Sequence, residues 1–337
     1  MPTRIFITGG TGYITGTVLD TLVNQRPQYE VTVLLRTVPA GFKERYPTVR
    51  VVEGNFDDFD LIAETASKSN ISIHGGNSKH QGAIKAHIAG LLRRDSTSFF
   101  IRLGGTGIIA DFLTGPYGEL NPKVWSDIDD LDTLTSLPDT TPHRPVEKII
   151  QAAAEEHGDR LKCAIICASG IYGKGRGMVR QQSLWMPDFY SEVVKFGATF
   201  YTGTGGNSRG WTHIDDLMEI YLALVDDAAQ GGGAADWGKA GYYFTCSHEA
   251  TQLELAVEGG KILKKHGLLE SEVPQQVSIE QIKAMDCGSS WPWEGIYTFA
   301  CNTRARADRA KKVLGYQPKA PTVFETMEED LLACRKY

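Results

Sequence analysis

The stretch that decides the fold is Thr8-Gly9-Gly10-Thr11-Gly12-Tyr13-Ile14-Thr15-Gly16. It follows a short apolar run, Arg4 to Thr8 (RIFIT), and opens a segment from Gly12 to Asn24 whose Val18, Leu19, Leu22 and Val23 share one helical face. Glu30 to Leu35 (EVTVLL) is then a second strand. A strand, a glycine-rich turn and a helix in this order form an anion cradle. Gly9 permits the tight turn, Gly12 lets backbone approach the ligand, and the helix N-terminus offers free N–H groups and a positive dipole end. The third glycine of the pattern falls on Thr15, with Gly16 one place late.

Working outward, strands are expected at Val49 to Glu53, Asn70 to His74 (NISIH) and Phe99 to Leu103 (FFIRL). A helix is expected over His80 to Arg93. A helix over Val146 to His157 precedes the near-continuous apolar run Leu161 to Cys167 (LKCAIIC), and Ile214 to Asp226 is a further helix. Parallel strands need crossover helices, and strands buried on both faces read as continuous apolar runs. The expected fold is therefore α/β, a Rossmann doubly wound parallel sheet with a smaller C-terminal substrate lobe. The expected division is 1–175 for the nucleotide-binding domain, with returns to the sheet around 209–247, and 176–337 for most of the lobe. Thr106 to Thr141 shows no periodicity and reads as a long irregular connection.

The cradle implies a dinucleotide. Arg36 follows the second strand, where a site selective for the unphosphorylated cofactor carries a carboxylate; an arginine there pairs with a 2′-phosphate, so the expected cofactor is NADP(H). Expected cofactor contacts are Gly9, Thr11, Gly12, Tyr13, Ile14 and Arg36. To these are added Asp57 after the third strand, as an acceptor for the adenine amine or as a helix cap, and Gly75 after the fourth.

The net charge of −6, without basic runs, argues against nucleic acid and anionic membranes as partners. No apolar run of transmembrane length, no signal-peptide pattern and no metal-type Cys/His spacing is visible, and the six cysteines read as free thiols of a reducing, cytoplasmic compartment. No metal is expected. The expected partner is a small-molecule substrate.

Four segments together resemble the extended and atypical short-chain dehydrogenase/reductases, the epimerase/dehydratase-like proteins and their NmrA-like relatives. They are Thr8 to Ile14; Gly170-Ile171-Tyr172-Gly173-Lys174-Gly175; Trp211-Thr212-His213-Ile214-Asp215-Asp216-Leu217; and Asn302 with Leu314-Gly315-Tyr316-Gln317-Pro318. The resemblance implies hydride chemistry or redox-assisted epimerisation or dehydration, a nicotinamide beside Ser169 and Ile171, and a homodimer.

The resemblance also implies a Ser/Thr and a Tyr-x-x-x-Lys pair. If Lys148 is that lysine and binds the ribose, Arg144 stands at the tyrosine, and arginine cannot act as the acid. His143, oriented by Glu147 four residues on, is a substitute proton source, and Thr106 is the hydroxyl nearest the glycines that stand where the serine belongs. Tyr172 and Tyr117 are further candidate donors, and His213 with Asp215 and Asp216 reads as a capped helix start. The expected activity is NADP(H)-dependent reduction or dehydrogenation of a small, partly apolar metabolite. Loss of the tyrosine keeps open a non-redox isomerase, epimerase, cyclase or dehydratase, and an NmrA-like cofactor-sensing regulator.

Overall fold

A computed structural model describes residues 2–287 and 291–336. The strands that position the site are β1 (Arg4–Thr8), β2 (Glu30–Leu35), β3 (Arg50–Glu53), β4 (Ile71–His74), β5 (Ser98–Gly105), β6 (Leu161–Ala168), β7 (Gly170–Tyr172), β8 (Ser208–His213), β9 (Tyr242–Phe244) and β10 (His248–Thr251). Seven of them form one parallel sheet in the order β9-β6-β5-β4-β1-β2-β3. The order reverses between β1 and β4, and a crevice at the carboxyl ends of those two strands is where such sheets bind ligands.

Helices α1 (Tyr13–Gln25), α2 (Phe59–Ser67), α3 (Gln81–Leu92), α4 (Arg144–His157) and α6 (Ile214–Ala229) cover the sheet; α5 (Trp185–Phe196), α7 (Gln252–Lys265) and α8 (Val323–Ala333) belong to the lobe. Val18, Leu19 and Leu22 of α1 and Leu217, Leu224 and Val225 of α6 pack on one face. Ile62 and Ala66 of α2, Ile84 and Leu91 of α3, and Val146 and Ile150 of α4 pack on the other. Both faces are thus buried, which is why β6, apart from Lys162 near its start, reads as an apolar run. The lobe has its own core, with Trp185, Phe189, Phe200, Trp211 and Phe299 at its centre, beside a small sheet in the order β10-β8-β7.

Three expectations are revised. The lobe does not begin at 176, because Phe112 and Tyr172 belong to its core. The fifth strand runs on to Gly105, since Gly104 and Gly105 pair with Cys167 and Ala168 of β6. The connection from Thr106 to Thr141 holds a 3-10 turn at Thr106–Ile109, a strand at Trp125–Ser126 paired with Ala305–Arg306, and a helix at Leu131–Ser136. Asp111 anchors it by accepting from the Asn302 amide at 2.7 Å. That partner lies far along the chain, and local periodicity carries no trace of it.

Beneath the glycine-rich turn lies a buried polar chain. His74 Nδ1 bonds Thr8 Oγ1 at 2.7 Å, which bonds His87 Nε2 at 3.2 Å, and His87 Nδ1 bonds Ser72 Oγ at 2.6 Å. Burial holds both imidazoles neutral, His74 down to about 4 and His87 well below the usual value. Such groups stabilise the fold above the unfolded histidine range near pH 6.5, and the contribution is lost as pH falls towards 4. Asp127, Asp188 and Asp330, pushed up to about 6 by burial, act in the opposite sense, so the histidine part is read as a difference. The stability gap between the native chain and His87→Gln, measured by urea denaturation, is expected to narrow by on the order of 1–2 kcal/mol from pH 7 to pH 5. A gap independent of pH would refute neutral burial.

Candidate active site

The cradle is built as its sequence requires. Gly9 has φ +86°, a conformation that L side chains rarely adopt, and Gly12 N–H donates to Gly9 O at 2.9 Å. No side chain caps Gly12, so the first amides of α1, from Tyr13 onward, are left for an external acceptor. The missing third glycine is compensated across the crevice. Thr15 Oγ1 donates to Gly75 O at 3.0 Å, and a Cβ on Gly75 would collide with that hydroxyl. Gly16 serves a different approach: a Cβ there would lie 3.2 Å from Gly177 Cα, in the loop that follows β7. Tyr13 Oη fixes the same loop by donating to Gly173 O at 2.6 Å.

Arg36 is exposed and, among the described residues, forms no ion pair. Arg45 is engaged by Asp20 Oδ1 at 2.9 Å. Asp57 is 88% exposed and its Oδ1 lies 3.0 Å from His80 Nε2. Its neighbour Asn55 receives the Asp57 amide on Oδ1 at 2.8 Å, and the Phe56 ring covers Gly76. Ser169 and Ile171 are buried, the Ser169 amide donating to Thr245 Oγ1 at 3.1 Å.

At the end of β5 the expected catalytic residues separate. Arg144 is buried away from the crevice, tied to Leu137 O at 3.1 Å, Gln151 Oε1 at 2.6 Å and Thr135 O. Lys148 does not reach the crevice either; half exposed, its Nζ donates to both Asp139 carboxylate oxygens at 2.9 and 3.0 Å. Helix α4 begins at Arg144, which is buried, and Lys148 on its next turn is exposed. Tyr172 is buried, donates to Pro321 O at 2.7 Å and packs against Trp211, His213 and His248. Tyr117 Oη donates to Phe112 O at 2.9 Å, which closes a loop. Thr106 is buried in its 3-10 turn. His213 caps α6, its Nδ1 accepting from the Asp215 amide at 3.1 Å.

His143 is the expected residue that reaches the site. It is the sole non-glycine residue at positive φ (69°) among the described residues, a conformation that costs energy and clusters at functional sites. A Cβ on Gly105 would lie 3.2 Å from His143 Nε2, so the ring occupies the space that a serine side chain would take. Glu147 does not orient it. Glu147 Oε1 instead receives Arg102 Nη1 at 3.0 Å, both side chains being fully buried, and Arg102 Nη2 donates to Ser78 O at 2.9 Å. Arg102 Nη2 also lies 3.5 Å from His143 Nδ1. A donor facing Nδ1 leaves the ring proton on Nε2, pointing at the glycines. Burial, then Arg102 and Lys79, push His143 down to about 3, so the ring is a neutral donor.

Beside it opens a cavity of about 660 Å³. Phe112, Trp291, Trp293 and Tyr297 form an aromatic wall, Leu113 and Leu184 a half-open apolar rim, and Lys79 and Glu294 are its charged lining groups. Arg102, Lys79, Phe112 and Tyr297 were not singled out from the sequence. The arginine inside FFIRL was a legible sign of a buried charge; Tyr297 had no sign at all.

Comparison with known proteins agrees with this architecture. Residues 135–237 match the NAD dependent epimerase/dehydratase family. The oxidase ucsJ of Acremonium sp is 28% identical over 97% of this chain and 96% of its own. A dTDP-glucose 4,6-dehydratase of Mycobacterium tuberculosis is 23% identical over 66% of this chain and 69% of its own. The Bordetella bronchiseptica enzyme WbmH, solved with NAD+, superimposes with a TM-score of 0.67 at 15% identity, over 100% of this chain and 99% of that one. The protein has a Rossmann fold similar to that of the solved Bordetella enzyme, and its segment 135–237 is similar to the epimerase/dehydratase family. Among the described residues no helix is long and apolar enough to cross a membrane, no metal-type cluster occurs, and the six cysteines are free and buried.

Arg102→Leu leaves Glu147 as a buried unpaired carboxylate and is expected to lower the unfolding free energy by about 3–5 kcal/mol. The double variant with Glu147→Leu should recover much of that loss. Urea denaturation measures both, and a loss below about 1 kcal/mol for the single variant would show that the pair is not desolvated.

Proposed function

We propose that this protein is an NADP(H)-dependent oxidoreductase acting on a carbonyl or conjugated C=C group of an apolar metabolite large enough to fill an aromatic-walled cavity. One observation carries the reading: the neutral His143 donor at the end of β5 faces into that cavity, next to the sheet crevice that holds the cradle.

The residues present fit a dinucleotide. Gly9, Gly12 and the free amides of α1 suit a pyrophosphate, and the bare backbone of Gly75 keeps the crevice open around Thr15. The NAD+ complex of the similarly folded Bordetella enzyme supports the same use of the crevice. Arg36, exposed and without a carboxylate partner among the described residues, suits a 2′-phosphate. When bound, a nicotinamide supplies or accepts hydride. The chain's own groups bind and orient the substrate. The aromatic wall excludes water, and His143 Nε2–H offers a hydrogen bond to a substrate oxygen without first gaining a proton.

The relative named as an oxidase matches nearly the whole chain, whereas the dehydratases match two thirds of it, which favours net redox chemistry. Among the described residues Glu294 is the sole carboxylate lining the cavity, a thin supply of bases for an elimination.

Calorimetric titration with NADPH and NADH tests the cofactor. NADPH is expected to bind in the micromolar range and NADH more weakly, and Arg36→Ala should lose about 10–100-fold in NADPH affinity while leaving NADH unchanged. Substrate-dependent oxidation of NADPH by apolar ketones and enones then tests the reaction. If neither dinucleotide binds, the oxidoreductase reading falls.

A further inference from the structure

The cavity presents a second donor at the same spot as His143. Tyr297 sits on the short helix Glu294–Phe299 of the lobe. A Cβ on Gly107 would lie 2.9 Å from Tyr297 Oη and 3.4 Å from His143 Nε2. The two polar atoms, one from the lobe and one from the start of α4, therefore converge on one point above the backbone that follows β5. Bare glycine at 105 and 107 is what admits them. The Tyr297 ring is held edge-on by Phe112 at 6.2 Å and by Trp291 at 5.6 Å. Its helix is pinned by Arg209, whose Nη2 donates to Tyr297 O at 2.5 Å and to Thr298 O at 3.2 Å. The Arg209 guanidinium lies 5.5 Å from the ring centre.

We propose that Tyr297 is a catalytic acid supplied by the lobe, and that Tyr297 Oη–H and His143 Nε2–H together bind the reacting oxygen of an apolar carbonyl substrate. The assignment rests on the oxidoreductase reading and gives it the acid that Arg144 cannot be. As hydride from a reduced nicotinamide dinucleotide adds to the carbonyl carbon, the C=O π pair moves onto oxygen. The Tyr297 Oη–H bond breaks, the substrate O–H bond forms, and one proton taken up from solution restores the tyrosine hydroxyl, so that each turnover consumes one hydride and one proton. His143 keeps its proton and acts as the fixed second donor. Burial pushes the Tyr297 hydroxyl up to about 12, which keeps it protonated at neutral pH, while nearby Arg209 favours the transient anion.

The full chain is titrated with 4-nitrophenol, whose absorbance distinguishes phenol from phenolate, and with 4-nitroanisole, which has the same ring but no anion. The native chain is expected to bind 4-nitrophenol with its ionisation shifted to lower pH. Tyr297→Phe should weaken phenolate binding by about 10–100-fold while leaving 4-nitroanisole and NADPH affinity unchanged. His143→Asn, whose side chain tolerates the left-handed backbone, should weaken the phenolate in the same way. Equal affinity of Tyr297→Phe and the native chain for 4-nitrophenol, equal loss of both probes, or no binding of either probe to the native chain would each overturn the proposal. Failure of NADPH binding in the native chain would instead sink the oxidoreductase reading, and the donor pair is then judged on the nitrophenol titration alone.

Discussion

The buried Arg102–Glu147 ion pair governs the geometry of the site. A guanidinium on the interior strand β5 cannot be left unpaired in a dry interior, and the carboxylate that meets it is carried by α4. The pair thereby fixes how α4 lies against the sheet. Arg102 Nη2 donates to Ser78 O after β4 and approaches His143 Nδ1, while Tyr242 Oη on β9 donates to Glu147 Oε2 at 3.3 Å. One charge on one strand thus connects the connection after β4, the start of α4 and the last strand of the sheet.

This arrangement explains why the expected Tyr-x-x-x-Lys geometry is absent from the crevice. Glu147 is drawn inward, so Lys148, one residue on, is turned out to Asp139 and Arg144 is turned towards Leu137 and Gln151. What remains at the end of β5 is a histidine held in a left-handed conformation above bare glycine backbone. The Rossmann scaffold is kept, and the polar groups at the end of β5 are arranged around an aromatic cavity.

The cradle shows a smaller exchange of the same kind. A threonine at the fingerprint's third glycine looks like a defect when α1 is read alone. Across the crevice Gly75 has no side chain to meet it, so the close approach survives with its two partners interchanged. Each half of that exchange was visible in the sequence, but the link between them is a contact between residues 60 positions apart.

The sequence by itself determined the parallel sheet, its strands and the glycine-rich turn before α1, because these depend on periodicity, glycine placement and residue type over a few adjacent positions. It also brought His143 forward, through its place beside the helix start. Only the tertiary structure decided that Glu147 serves Arg102, that Lys148 and Arg144 leave the crevice, that Phe112 joins the lobe's core, and that Tyr297 faces His143. Those outcomes follow from burial and charge pairing between segments far apart in the chain, and no local pattern records which distant group will be nearest once the core has closed.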